Sequence, residues 1–140
     1  MKYKKIDNTW VIILAKGDKI IEKLKEFVAK ENIAGGHFTA IGAISHVEMA
    51  HYSLELKKYH YKTLSGALEI VGLIGNVSFT DNEAVVHSHI SVGNEDMQVC
   101  GGHLKEALVS ATCEIVFTEG KAKFNRKYNE EIGLNLIDPA

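Results

Sequence analysis

Proline and cysteine are scarce in this chain, and each scarcity removes a class of architecture. The one proline, Pro139, lies at the extreme C-terminus. No Pro/Ser-rich linker divides the sequence, so a second domain is not expected. Two cysteines, Cys100 and Cys113, cannot make a disulfide framework for 140 residues. Free thiols in a reducing cytosol are the plain reading. Cys100 stands three residues before His103, which leaves a ligand role open to it. No apolar run approaches the roughly 18 residues that a membrane span needs. The start, Met-Lys-Tyr-Lys-Lys, leads into no apolar segment of signal-peptide length. A soluble, cytoplasmic protein without membrane partners is expected.

An excess of positive charge is also missing, since the formal net charge is −2. A surface that binds nucleic acid by itself usually shows a basic balance or a basic stripe. Lys2, Lys4 and Lys5 are too few for one. Lys121, Lys123, Arg126 and Lys127 are diluted by Glu119, Glu130 and Glu131. Direct DNA binding is weakened on this ground, although oligomerisation could still concentrate a patch.

The composition is that of an ordinary globular protein, 46% apolar and 24% charged. At 140 residues one domain, spanning 1–140, can bury a core without disulfides. Residues 10–15 form a continuous apolar run that fits a strand buried on both faces. Gly17-Asp18 breaks the run. Ile20, Ile21, Leu24, Phe27 and Val28 then fall at helical spacing, with Asp18 as expected N-cap and Asn32 where the helix should end. Beyond it the period changes. Residues 38–45, 46–56, 59–64, 68–79, 84–92 and 109–118 read as strands, and Asp81-Asn82 reads as a hairpin turn. Residues 104–108 read as a short second helix. The expected fold is therefore α+β: a largely antiparallel sheet of about six or seven strands, one main helix and a short second one. Such a sheet leaves a face and an edge bare, which favours self-association. The tail, 121–140, is polar at first and then carries Ile132, Leu134, Leu136 and Ile137, so it should dock somewhere, on a neighbouring subunit or elsewhere.

The chemistry gathers in Val85-Val86-His87-Ser88-His89-Ile90 and in Gly101-Gly102-His103-Leu104. On a strand, His87 and His89 share one side while Val86, Ser88, Ile90 and Val92 take the other. Gly101-Gly102 allows a sharp bend and a close approach to neighbours, after which His103 could swing back to meet the first two. Three imidazoles with no fourth protein ligand would make an open, zinc-type divalent metal site, with water completing the coordination. The plain alternative is that His87 and His89 only line a solvated or subunit-facing surface. Glu69, in an otherwise apolar run, is the candidate carboxylate. It could orient a ligand histidine, serve as a general base, or pair with a lysine across an interface. Gly35-Gly36-His37, His46, His51 and His60 are more simply surface or interface residues. Gly72-X-X-Gly75 lacks the dinucleotide fingerprint.

These segments carry a resemblance. The run from Gly66 to Asn76, with His87-Ser88-His89 and Gly101-Gly102-His103-Leu104, resembles the plants and prokaryotes conserved (PPC) domain, and the match extends from about Gly66 to Phe117. The resemblance implies an α+β domain assembling into homotrimers, with metal at the histidines. Plant members carry a preceding Arg-Gly-Arg-Pro AT-hook that enters the minor groove. This sequence has none, and it has Ala67-Leu68 where plant members carry Arg-Phe. Prokaryotic members are themselves described as DNA-binding. Expected, then, is a stand-alone, homotrimeric, metal-binding PPC protein with a DNA-associated or regulatory role. The alternative is a zinc-type metal-dependent enzyme acting on a small substrate, with Glu69 beside the histidines.

Overall fold

Ile20, Ile21, Leu24, Phe27 and Val28 are buried along one stripe of α1 (Ile20–Lys30), as their spacing requires. In the computed structural model, which describes residues 1–139, α1 is the one helix. The rest is strand: β1 (Lys2–Ile6), β2 (Thr9–Ala15), β3 (Gly36–Ser53), β4 (Lys58–Thr80), β5 (Glu83–Gly93), β6 (Val99–Glu119), β7 (Asn125–Asn129) and β8 (Leu134–Asp138). All eight belong to one sheet in the order β1-β2-β6-β3-β4-β7-β8, and β5 pairs with both β4 and β6. Strands β3, β4, β5 and β6 thus form a closed circuit. Every pairing is antiparallel except a single parallel step of β4 beside β7, Phe79 opposite Asn125.

The α+β expectation is overturned: 69% of the chain is strand and 8% helix, in an eight-stranded mixed sheet. No second helix forms at residues 104–108, which lie inside β6. Glu48 pairs with Glu106 while Met49 pairs with Leu104, so Lys105 is an extra residue on β6. The bulge sets the buried Leu104 and Ala107 three apart instead of two, which imitates a helical spacing. The strand count rises because β1 and the tail strands β7 and β8 were not expected. Conversely, residues 38–45 and 46–53 merge into β3, which ends at Ser53 so that 54–56 fall in the turn, and 59–64 and 68–79 merge into β4. Gly42, at φ 156°, bends β3 without ending it, and a Cβ there would lie 2.3 Å from the Thr112 carbonyl oxygen. Asp81-Asn82 is a two-residue hairpin turn as expected, with both residues at positive φ.

Two local expectations also change. Strand β2 alternates rather than being buried throughout, with Trp10, Ile12 and Leu14 inside and Val11 and Ile13 exposed. Asp18 does not cap α1. Its Oδ2 accepts from the Ala15 amide and the N-terminal ammonium instead. The Glu106 carboxylate, from β6, takes the helix end by accepting from the amides of Ile21 (2.9 Å) and Glu22 (3.2 Å).

The core lies between α1 and one face of the sheet. Phe27 is its centre, 5.1 Å from Trp10, 5.2 Å from Tyr3 and 5.6 Å from Phe117 in edge-on ring contacts. On the opposite face, register aligns Lys4, Val11, Val116, Thr39, Ile74 and His89 in one row across six strands. All six are exposed, Ile74 to 66%. The tail hairpin β7–β8 returns to its own chain. The Tyr52 hydroxyl donates to the Ile132 carbonyl (2.7 Å) and Lys57 Nζ to the Glu130 carbonyl (2.6 Å), which anchors the hairpin turn on the β3–β4 hairpin.

Candidate metal centre

Strand β5 alternates. Val86, Ser88, Ile90 and Val92 are buried on the core side, and His87 and His89 occupy the other face. Across the sheet His87 stands opposite Asn76, and His89 stands opposite both Ile74 and His103. Directly paired residues share a face and lie about 4.5–5.5 Å apart at Cβ, so the pairing alone delivers His103 to His89. Gly101 and Gly102 lie within β6 and make no bend. The turn comes earlier, where Asn94 Oδ1 accepts from the amides of Asp96 (3.1 Å) and Gln98 (2.9 Å). What the glycines provide is closeness: a Cβ on Gly101 would lie 2.5 Å from the Ile90 carbonyl oxygen, and one on Gly102 2.9 Å from that of Ala50.

One ring nitrogen from each of His87, His89 and His103 lies within 4.8 Å of the others, the one such cluster found among the described residues. Tetrahedral coordination with bonds of about 2.0–2.1 Å places donors about 3.3 Å apart, so small side-chain rotations would close the set. The rings are 5.0–5.6 Å apart at their centroids. Burial pushes the His87 imidazole down to about 4, helped by the charges of His103, Arg126 and His89. His103 is lowered too, first by burial and then by His89, Lys105 and Arg126. Both rings are therefore neutral at pH 7, the form that offers a lone pair to a metal. The donor set fits a divalent ion of borderline softness, with three nitrogens and open directions left over.

A cavity of about 320 Å³ opens beside His87 and His103, walled by Tyr59, Val85, Arg126, Leu134 and Leu136. The tail hairpin forms its far side. Arg126 Nε donates to Ser78 Oγ (2.7 Å) and its Nη1 to the Asn135 carbonyl (2.9 Å). The Tyr59 ring lies 5.2 Å from that of His103. A second cavity, about 310 Å³, reaches His89 and shares Tyr59, His87, His103 and Leu134 with the first. No acidic side chain lines either one.

The other candidates fall elsewhere. Glu69 is exposed and pairs with Gly93, four residues along β5 from His89, or about 13 Å at the strand rise. Cys100 is exposed and outside the cluster, and Cys113 is buried in the core. His37 is exposed, in register with Asn76 and Thr118. His46 Nδ1 meets Ser65 Oγ at 2.9 Å, and His51 pairs with His60. Sequence reasoning passed over three neighbours of the histidines: Arg126, Tyr59 and Asn76, whose buried Oδ1 has no hydrogen-bond partner among the described residues. The available signal for Arg126 was its rarity, because it is the chain's single arginine.

Residues 1–121 match the sequence model of the Plants and Prokaryotes Conserved (PCC) domain. No curated protein is similar enough to match. Among solved structures, one from Bacteroides thetaiotaomicron, named a "putative dna binding protein", is 31% identical, with 98% of this chain and 96% of that chain covered and a TM-score of 0.95. A metal-containing protein of Archaeoglobus fulgidus is 32% identical, covering 98% and 99%, with a TM-score of 0.86. A plant- and prokaryote-conserved (PPC) protein of Pyrococcus horikoshii is 31% identical, covering 99% and 94%, also at 0.86.

Proposed function

The chain belongs to the Plants and Prokaryotes Conserved (PCC) domain family, and from that premise we propose that it is a divalent-metal-binding protein whose His87, His89 and His103 hold a zinc-type ion beside a small-ligand cavity. The observation that carries this reading is the convergence of three ring nitrogens within 4.8 Å, two of them on imidazoles held neutral. The Archaeoglobus relative, 32% identical and described as metal-containing, supports it. When bound, such an ion supplies Lewis acidity to a ligand in the neighbouring cavity. The protein's own part is to present three lone pairs, to exclude water with Leu134 and Leu136, and to line the entrance with Tyr59 and Arg126. Glu69 has no part in this reading, since its carboxylate is exposed away from the cluster.

The bare row through Val11, Val116 and Ile74, with Ile13 and Ile41 beside it, is the surface we assign to self-association as a homotrimer. His89 ends that row, so assembly would shield it. Association with DNA is the second reading, favoured by the name of the Bacteroides relative. A net charge of −2 places it behind metal binding, and a DNA affinity falling steeply with salt is what would raise it.

The test is metal content of protein purified without a histidine tag or chelator, beside a His87→Ala/His89→Ala double variant. About one divalent ion per chain, lost in the variant, is expected. An equal metal content in the variant, or none in the wild type after reconstitution with zinc, overturns the reading.

A further inference from the structure

Arg126 differs from every other cation in the chain. It is the single arginine in a sequence that otherwise uses lysine, and an arginine fork is not interchangeable with an ammonium. It is half-buried, and burial is the main influence on its charge. Its two protein acceptors, Ser78 Oγ and the Asn135 carbonyl, are both neutral. Of five guanidinium N–H groups, these occupy two. No ion pair to Arg126 exists among the described residues, whereas Lys5, Lys19, Lys23 and Lys127 each have a carboxylate partner. A permanent charge withdrawn from water without a counter-charge is costly, and a chain does not hold it there by packing alone.

The surroundings say what would satisfy it. Arg126 lines the 320 Å³ cavity together with His87 and His103, and no acidic side chain lines that cavity. Tyr59, its ring 5.2 Å from that of His103, belongs to the same wall. Val85, Val86, Leu134 and Leu136 give it an apolar stretch, and Thr80 and Asn135 complete the wall. A metal ion at the histidines would add positive charge to a place that already holds Arg126. An anionic ligand offsets both.

We propose that Arg126 is the anion-binding residue of the cavity, and that the ligand is a small organic carboxylate whose carboxylate meets the guanidinium while its apolar body lies against Val85, Leu134 and Leu136. Ser78 and the Asn135 carbonyl position the fork, and carboxylate geometry matches it in a two-point contact. The cavity's concave, apolar walls favour a small organic acid over a nucleic-acid backbone, which needs an open basic track. The proposal deepens the metal reading and rests on it for what the far end of the ligand meets. The anion subsite itself stands on Arg126.

The experiment titrates benzoate and its neutral counterpart benzamide into zinc-reconstituted protein, following tyrosine fluorescence or chemical shifts, with metal content measured on the same samples. Wild-type protein should bind benzoate at least 10-fold more tightly than benzamide. Arg126→Gln should lose that gap while keeping its metal and its benzamide affinity, and Arg126→Lys should keep only part of it. Equal binding of the two compounds by the wild type overturns the proposal without any variant, so a poorly folding Arg126→Gln would not protect it. Inorganic phosphate binding as tightly as benzoate, with the same dependence on Arg126, overturns the carboxylate assignment. A benzoate preference that persists in wild-type protein carrying no metal supports the subsite while the metal reading fails, which separates the two.

Discussion

On one side of β5, Val86, Ile90 and Val92 close against the core beneath α1. On the other side of the same strand, His87 and His89 face a cavity that the tail hairpin only partly covers. The core side is satisfied within the chain almost throughout, with Ser88 Oγ as its one buried polar atom lacking a partner among the described residues: Phe27 touches three aromatic rings, and the helix end is capped by Glu106. The histidine side is not. It holds neutral imidazoles, an arginine without a carboxylate, an orphaned Asn76 oxygen and a bare Ile74. Packing forces account for the first side apart from the buried Ser88 Oγ, whereas on the second they leave a whole cluster of polar and charged groups that a ligand, an ion or a partner would satisfy.

The largest test of that contrast is Phe27→Ala. Phe27 is fully buried, so truncation should cost about 3–5 kcal/mol by urea unfolding. Metal per folded chain should stay at the wild-type ratio, because the residue lies across the sheet from the histidines. A folded Phe27→Ala protein that has lost its metal would show the two sides to be one coupled unit.

The histidine side was the more legible in the sequence, for a physical reason. Strand alternation with period 2 put His87 and His89 together, and a local pairing brought His103 to them. The features that came from far along the chain were invisible. Arg126 reaches the cavity only because residues 125–138 fold back as a hairpin, and Tyr59 arrives on β4. The second-helix reading failed at Lys105, where one bulged residue turned a strand period of two into a local three. Asp18 had the right chemistry for a cap, yet its carboxylate is taken by the N-terminal ammonium and the Ala15 amide. Long strands were broken too early at two irregularities that do not end them: the register shift between Ile44 and His46 in β3, and Gly66, at φ 130°, in β4.

A pH profile of metal-free protein sharpens the contrast further. In the unfolded chain an imidazole takes its proton near 6.5. His87 in the fold resists it until about 4, first because it is buried and then because His103, Arg126 and His89 face it. A depressed folded value means that the stabilising contribution is present above about 6.5 and is lost as pH falls toward 4. The urea midpoint should therefore drop between pH 7 and 5, and by less in His87→Gln, which cannot titrate there. Equal drops in the two proteins would mean that the histidine side carries no such burden.

The smallest expected effect concerns the one carboxylate that ties β6 to α1. Glu106 accepts from the amides of Ile21 and Glu22 and from that of Ala107 at 2.9 Å, although it stands only three residues beyond His103 on the same strand. Removing a helix cap typically costs about 1 kcal/mol, so Glu106→Ala should lower stability by roughly that amount. Glu106→Gln should recover part of the loss, because one amide oxygen can still accept while the charge favoured at a helix N-terminus is gone. The bulge at Lys105 keeps both Leu104 and Ala107 on the core side, and the two polar side chains serve different partners, Glu106 meeting the amides of α1 while His103 pairs across to His89. Metal content should accordingly be indifferent to both substitutions. A Glu106→Ala protein that keeps its helix but loses its ion would place the bulge itself, and the register it sets for His103, among the determinants of the site.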